Sequence, residues 1–337
     1  MRRALLAPDS SVPPLDDPPP ALPGRRVPLD GAMVYVRETP PTGAAAEPAV
    51  YVHGLGGSSL NWTDLATLLA HRLHGQAIDL PGFGRSDPTH RYTLTALAGR
   101  VIRWIEHTGR GPVHLFGNSL GGAVAVKVAA VRPDLVRTLT LISPALPFLD
   151  PRRTAQGQLL PLLALPRASR LAARMLADIP PEELTTRVIE TVYADPSRVP
   201  PQRLAEAVEE IRLRYRLGHY VDAYLRTMRG LVAAFLRAYL PGAGSLWRAA
   251  AEVRAPTLVV GGRQDRLVDI RVAPQAARTI PDSRLLMIDG VGHVAQMEVP
   301  RLVARAVVGM LDEVAGRPPT VDRTRRWRLP RPDVRVG

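Results

Sequence analysis

The chain contains 337 residues, of which 46% are hydrophobic and none is cysteine, and its formal net charge is +13. A chain of this length can bury a large core as one domain or two. The lack of cysteine excludes disulfides, a thiol nucleophile and cysteine-ligated metals. No run reaches the roughly 18 apolar residues that a transmembrane helix needs, and the apolar stretch after Arg3 is too short for a secretory signal, so we expect a cytoplasmic protein.

The basic residues are unevenly distributed. Only Lys127 is a lysine, a bias that a GC-rich genome produces as readily as a binding surface. The segment 316–337 carries seven arginines against two aspartates, so part of the excess lies in a basic tail that we expect to be solvated. No nucleic-acid motif or aromatic platform accompanies the arginines, and we therefore expect no nucleic-acid ligand.

Residues 1–25 contain seven prolines, which cannot donate ladder hydrogen bonds and so predict an extended or disordered N-terminal arm. The pair Asp30-Gly31 then predicts an antiparallel hairpin. Further along, short apolar strands alternate with helical patterns, which is typical of a mostly parallel sheet with helices on both faces. After the hairpin, strands are predicted at 49–52, 76–79, 113–117, 139–142, 257–261 and 284–289, and helices at 61–73, 94–107, 120–132, 272–279 and 300–314.

The region 144–245 has a different character, with no strand pattern, frequent prolines and helical patterns at 203–215 and 220–239. We expect it to form a helical lid, inserted after the sixth strand of a core made of residues 26–143 and 246–315. A leucine-rich run at 159–165 predicts either an apolar wall near the entrance or simple packing of the lid on the sheet.

The sequence Gly117-Asn118-Ser119-Leu120-Gly121 joins a predicted strand to an Ala/Val-rich helix. A turn this tight brings its two arms close together, so the positions two residues either side of the serine require glycine. The serine then lies at a helix N-terminus, where free N–H groups favour negative charge. The pattern predicts a nucleophile elbow, although a structural Gly-rich turn can have the same sequence.

A serine hydroxyl needs a base before it can act as a nucleophile. His293 is the best candidate, because it follows the last predicted strand at the edge where active-site loops of such sheets gather, although it can also be read as a helix cap. A carboxylate must orient the imidazole, and Asp265 directly follows a strand and precedes the histidine in the expected order Ser, Asp, His. An Asx turn is the alternative for Asp265, and Asp269 and Asp289 are weaker choices for the acid.

An oxyanion hole needs two converging N–H groups. We expect one from Leu120 at the start of the helix and the other from Leu55 in the Gly-rich turn 53–57. This turn lacks the endings of a phosphate-binding P-loop or a dinucleotide turn, which disfavours phosphate binding.

Three further positions are candidates for substrate binding. They are Gly54 in the Gly-rich turn, Asn118 beside the nucleophile and Val294 after the histidine. The Asn118 side chain can either bind a substrate oxygen or fold into the elbow, and we favour the second. We expect His53 to pack the turn rather than carry a proton.

Taken together, these motifs resemble the α/β-hydrolase fold superfamily over residues 26–143 and 246–315. The resemblance implies that Ser119, Asp265 and His293 are nucleophile, acid and base, and that the helical block is a lid. The motifs that carry it are His53-Gly54-Leu55-Gly56, Asp79-Leu80-Pro81-Gly82-Phe83-Gly84-Arg85-Ser86, the elbow, Gly262-Arg263-Gln264-Asp265 and Gly292-His293.

Within this superfamily, the Gly-Asn-Ser and Gly-Arg-Gln-Asp-Arg sequences resemble meta-cleavage product hydrolases, which cleave a carbon–carbon bond. That family typically has tryptophan after the histidine, where this chain has Val294. Esterases and lipases share the same catalytic residues.

The expected function is hydrolysis of an ester or related carbonyl compound through an acyl-enzyme, with no metal or organic cofactor. The expected partner is a small molecule, with a weak preference for an apolar acyl or aromatic substrate. The alternatives are carbon–carbon bond hydrolysis of the meta-cleavage type and acyl transfer or perhydrolysis by the same residues. A non-catalytic binding protein on this fold would be expected to lack a member of the triad.

Overall fold

A computed structural model describes residues 1–15, 20–148, 179–238, 240 and 245–316. The leucine-rich run 159–165 and the tail 317–337 lie outside these residues. The strands are β1 (Arg2–Arg3), β2 (Gly24–Leu29), β3 (Ala32–Thr39), β4 (Glu47–Val52), β5 (Leu73–Ile78), β6 (Val113–Asn118), β7 (Val136–Ile142), β8 (Thr257–Gly262) and β9 (Ser283–Ile288). The α-helices of the described part are α1 (Thr63–Leu68), α2 (Leu94–Thr108), α3 (Leu120–Val131), α4 (Pro181–Val192), α5 (Pro201–Arg216), α6 (Tyr220–Arg237), α7 (Leu246–Glu252), α8 (Val272–Thr279), α9 (Ala295–Glu298) and α10 (Pro300–Val314).

The strands form one sheet with the order β1-β9-β8-β7-β6-β4-β5-β3-β2. Only the pairs β2·β3 and β3·β5 are antiparallel, and the other neighbours run parallel. Parallel strands of one sheet end at the same edge, so the loops after β4, β6, β8 and β9 gather there. The expected mostly parallel α/β architecture is confirmed.

Alternate residues of each central strand face opposite layers, because side chains on a strand alternate in direction. In β4, Val50 and Val52 pack in the core beneath α2, α3, α7 and α8, whereas Ala49 and Tyr51 pack in the core beneath α1 and α10. All four are 2% exposed or less. Burial on both faces explains why these strands are nearly continuous apolar runs.

The N-terminal segment was predicted to be an extended or disordered arm, but its first residues pack against the domain. Arg2 and Arg3 pair with β9 in parallel, and Ala4, Ala7 and Val12 are buried against the layer that contains α10. The sequence does not predict this strand, because it consists of two arginines and the segment around it is rich in proline. It forms because the edge of β9 offers backbone hydrogen-bond partners and α10 offers apolar surface.

The helices α4, α5 and α6 follow β7 in the chain. This is the strand that was predicted to be the sixth, and it becomes the seventh because Arg2–Arg3 forms an additional strand. The prediction missed α4, which begins at Pro181 with two glutamates in its first turn, as well as α7 and α9.

Gly309 marks the close approach of α10 to the N-terminal segment, since a Cβ added there would lie 2.3 Å from the Leu5 carbonyl oxygen. We expect Gly309→Ala to lower the free energy of unfolding by about 1–3 kcal/mol, despite alanine's better helix propensity, because the backbone of Leu5 must move. Denaturant titration measures this. Gly218→Ala is the control, because among the described residues no atom beyond its two chain neighbours lies within 4 Å of its added Cβ. Equal stability losses in the two variants would contradict the role of the Leu5 contact.

Candidate active site

The elbow is the turn between β6 and α3, and Ser119 lies at its apex with φ 53° and ψ −116°, a left-handed conformation that costs a non-glycine residue energy. A Cβ at Gly121 would lie 2.1 Å from the Val52 carbonyl oxygen. A Cβ at Gly117 would lie 2.4 Å from the Gly121 carbonyl oxygen. Both glycines are therefore required by close backbone contacts: Gly121 lets the elbow lie against the end of β4, and Gly117 lets the two arms of the elbow approach each other.

His293 and Asp265 approach each other from the loops after β9 and β8. The His293 Nδ1 atom lies 2.9 Å from Asp265 Oδ2 and 3.0 Å from Oδ1. Both side chains are almost entirely buried, at 5% and 3% exposure. An Nδ1–H donated to the carboxylate leaves Nε2 unprotonated, which is the tautomer that a general base requires.

Asp265 is held in its ionised form. Burial alone would raise the pKa of its carboxyl group, but the charge and hydrogen bond of His293 act against this. Its Oδ1 also accepts the backbone N–H groups of Leu267, at 2.8 Å, and Val268, at 3.0 Å. The net effect holds the pKa of Asp265 below its ordinary value. The Asx turn considered as an alternative is thus present together with the contact to histidine.

The Asn118 amide connects the elbow with the histidine loop. Its Nδ2 donates to the carbonyl oxygens of Ile142, at 3.0 Å, and His293, at 3.2 Å. These bonds use both N–H donors of the amide. They favour the interpretation in which the side chain folds into the elbow, and they place the backbone of His293 beside Ser119.

The Gly-rich turn 53–57 lies against the elbow. A Cβ at Gly54 would lie 3.2 Å from the Ser119 Cβ and 3.1 Å from Asn118 Oδ1. Leu55 follows directly in the chain, and Leu120 is the first residue of α3, where backbone N–H groups have no acceptor within the helix. The two predicted oxyanion donors therefore lie in the loops after β4 and β6, which are neighbouring parallel strands.

His53 is buried, and both of its ring nitrogens contact backbone groups. Its Nδ1 lies 2.7 Å from the Gly54 carbonyl oxygen, and its Nε2 accepts the N–H of Leu80 at 2.9 Å. Burial lowers the pKa of His53 to about 4, although the Gly54 carbonyl acts in the opposite direction. The imidazole is neutral at physiological pH and holds two loops together.

The remaining sequence candidates have other environments. Val294 is 7% exposed and is the N-cap residue of α9, directly after the histidine. Asp289 pairs with Arg263 at an exposed position, and Asp269 is bound by Arg271. Neither of these two aspartates is the acid that contacts His293. The roles of Ser119, Asp265, His293, Leu55 and Leu120 in catalysis stay predictions.

Two buried carboxylates of the site were missed in the sequence. Asp79 accepts the backbone N–H groups of Ser59, at 2.6 Å, and Arg85, at 2.9 Å, and so ties together loops next to the Gly-rich turn. Glu298 accepts the N–H of Gly292 at 2.7 Å. Asp79 could have been found from its place in the Asp-Leu-Pro-Gly motif. For Glu298 the only signal in the sequence was its position five residues after His293.

The insertion contacts the loops of this edge. The side chains of Tyr220 and Tyr224, on α6, lie within 3.4 Å of where a Gly56 Cβ would be. The ring of Tyr220 also packs edge-on against Phe83. On the other side, the Val192 carbonyl at the end of α4 accepts the His293 N–H at 2.7 Å.

Residues 48–300 match the family model described as the alpha/beta hydrolase fold. The chain therefore belongs to the α/β-hydrolase fold family, and the expected resemblance is confirmed.

Several characterised proteins are similar to this chain. The dihydrolipoyllysine-residue acetyltransferase component of the acetoin cleaving system of Cupriavidus necator is 30% identical over 273 residues, which cover 80% of this chain and 64% of that protein. A 2-hydroxy-6-oxononadienedioate/2-hydroxy-6-oxononatrienedioate hydrolase of Cupriavidus pinatubonensis is 27% identical over 80% of this chain and 88% of its own. A monoacylglycerol lipase of Rattus norvegicus is 26% identical over 80% of this chain and 76% of its own.

Among solved structures, a putative lipase from Acinetobacter baumannii superimposes with a TM-score of 0.70 at 22% identity, covering 88% of this chain and 93% of that one. At this identity the likeness concerns the fold. Within the described residues, no helix combines the length and apolarity needed to cross a lipid bilayer.

The lowered pKa of His53 predicts a pH dependence of stability. The unfolded chain binds a proton at this residue below its ordinary pKa of 6.5, whereas the folded chain does so only near pH 4, so the stability should fall as the pH drops from 6.5 to 4. The expected loss is about 3 kcal/mol. Denaturant unfolding across this window should give a shallower dependence for His53→Gln than for the wild type. Identical slopes would contradict the assignment of a buried neutral imidazole.

Proposed function

We propose that this protein is a serine hydrolase that cleaves an ester or related carbonyl substrate through an acyl-enzyme. Ser119 is the nucleophile, His293 the general base and Asp265 the residue that orients the base. The observation that carries the proposal is the buried contact of 2.9 Å between His293 Nδ1 and Asp265 Oδ2, next to a serine in an elbow conformation. A buried hydrogen bond from Nδ1–H to the carboxylate fixes one tautomer of the neutral imidazole.

The reaction begins when the Ser119 hydroxyl attacks the substrate carbonyl carbon and His293 Nε2 takes its proton. The backbone N–H groups of Leu55 and Leu120 stabilise the oxyanion, and the N-terminus of α3 adds a favourable field. The imidazolium formed is stabilised by ionised Asp265 and then protonates the leaving group. His293 next activates water, which releases the acid and restores the serine.

The insertion is proposed to act as the lid that selects the substrate. Support comes from α6, whose Tyr220 and Tyr224 adjoin the Gly-rich turn, and from the partly buried apolar residues Leu231 and Phe235, which pack against the core. Aromatic and aliphatic walls of this kind suit an apolar acyl or aromatic group. Gly54 and Val294 adjoin the reacting serine and histidine and are the proposed first contacts of the substrate.

Carbon–carbon bond hydrolysis is the second candidate. It is favoured by the Gly-Asn-Ser elbow and by the alignment with the 2-hydroxy-6-oxononadienedioate hydrolase over 88% of that protein. Acyl transfer is a third, because the alignment with the acetyltransferase component includes 80% of this chain. A panel of p-nitrophenyl esters, thioesters and vinylogous diketones, assayed with and without an alcohol or thiol acceptor, separates the three.

Ser119→Ala should reduce p-nitrophenyl ester hydrolysis by roughly 10⁶-fold, because alanine has no hydroxyl that could form the acyl-enzyme. It should also abolish labelling by a fluorophosphonate probe, measured by gel fluorescence. Ser143→Ala is a useful control, because this serine also has a positive φ and lies near the elbow but is not the proposed nucleophile. Persistent labelling of Ser119→Ala would refute the nucleophile assignment.

Asp265→Asn should lower kcat by about 10³- to 10⁴-fold with a smaller effect on KM, because an amide favours the wrong imidazole tautomer. Asp289→Asn is the matched control, since it removes an exposed aspartate at the end of the neighbouring strand. Steady-state kinetics on the same ester should find the control close to wild type. Comparable losses in the two variants would remove the case for Asp265 as the orienting acid.

A further inference from the structure

A buried carboxylate lies behind the histidine loop. Glu298, on α9, has a side chain with 0% exposure. Its Oε2 accepts the N–H groups of Gly292, at 2.7 Å, and Ala194, at 3.2 Å, and its Oε1 accepts the N–H of Asp195 at 3.1 Å. The Arg198 guanidinium lies 3.0 Å from Oε1. One carboxylate therefore binds both the catalytic loop and the segment that follows α4.

The same two segments also contact each other directly. The Val192 carbonyl accepts the N–H of His293, and a Cβ at Gly292 would lie 2.5 Å from that carbonyl oxygen. Arg198 donates to the Gly290 carbonyl at 2.8 Å. The backbone of residues 290–293 is thus bound from the insertion side at two points, the Gly290 carbonyl and the His293 N–H.

Burying a carboxylate is unfavourable unless hydrogen bonds and a counter-charge replace its hydration. Three backbone N–H groups and one guanidinium do so here, and bonds from N–H groups to a carboxylate are stronger than bonds between neutral groups. Removal of the carboxylate would leave the three N–H groups without an acceptor. Within residues 290–293, Glu298 binds the N–H of Gly292, next to His293, whereas Gln264 Oε1 accepts the N–H groups of Gly290 and Val291.

We propose that Glu298, with Arg198, is a positioning residue that fixes the His293 backbone relative to Ser119. The inference rests on the proposed function, in which His293 is the base. A displacement of about 1 Å at a catalytic group can cost about 100-fold in rate. It follows that segment 192–198 is a fixed part of the active site, because it cannot leave the core without releasing the histidine loop.

The simpler alternative is that Glu298 only anchors the insertion, and a second ion pair between insertion and core provides a matched control. Arg203, on α5, binds Asp64, on α1, with Nε–oxygen distances of 3.1 and 3.2 Å. These side chains are 9% and 11% exposed. The described contacts of Asp64 do not include the histidine loop, so Asp64→Asn tests loss of an anchor without loss of positioning.

The experiment compares Glu298→Ala, Glu298→Gln and Asp64→Asn by thermal unfolding and by steady-state ester hydrolysis. Glu298→Ala should lower kcat by about 10- to 100-fold with KM changed less than about threefold, because the carboxylate touches the base loop and not the substrate. Glu298→Gln should lie between Glu298→Ala and wild type, since its amide oxygen still accepts N–H groups. Asp64→Asn should lower the unfolding midpoint but keep kcat within about twofold of wild type.

A second readout does not require turnover. The downfield NMR signal of the His293 Nδ1–H, identified by its loss in His293→Ala, should shift or broaden in Glu298→Ala and Glu298→Gln but not in Asp64→Asn. If the wild type hydrolyses none of the esters, the proposed function fails and this signal alone decides the positioning role. If Glu298→Ala does not fold, Glu298→Gln decides it.

The proposal is overturned if folded Glu298 variants keep wild-type kcat and an unchanged Nδ1–H signal while losing only thermal stability. It is equally overturned if Asp64→Asn reproduces both effects, because the loss would then follow from any weakened contact between insertion and core.

Discussion

The close contact between the elbow and the end of β4 is the constraint on which the rest of the site depends. Only glycine at 121 allows the turn to lie against the Val52 carbonyl, and only glycine at 117 allows the two arms of the turn to come together. This contact puts Ser119 at the shared edge of the parallel strands, at the start of α3 and beside the turn 53–57. A side chain at either glycine would separate the serine from the N–H groups proposed to stabilise its oxyanion.

Buried polar side chains fix the conformations of the loops that follow the strands at this edge. Asn118 binds the His293 carbonyl, Glu298 binds the N–H of Gly292 just before the histidine, and Asp265 binds its imidazole. Loops of this kind have no ladder hydrogen bonds of their own, so the backbone groups need side-chain partners. The site is therefore held by carboxylates and an amide whose removal leaves unpaired buried donors or acceptors.

The elements and motifs that depend on neighbouring residues could be predicted from the sequence. Pro300 starts α10 and its apolar period runs to Val314, so both bounds were correct, and the elbow followed from five residues and their flanks. Strand β1 could not be predicted, because Arg2–Arg3 has no strand pattern and pairs with Arg284 and Leu285 of β9, which are far away in the sequence. The role of Glu298 likewise depends on donors from two distant segments that converge only in the fold.

In the proposed reaction an acyl group passes through Ser119. Rapid-quench intact-mass measurement during hydrolysis of a slowly deacylating ester, followed by peptide mapping, detects that intermediate. We expect a transient adduct with the mass of the acyl group, located on the peptide that contains Ser119 and absent from Ser119→Ala. Turnover with no covalent adduct, or an adduct on another residue, would contradict the proposed reaction.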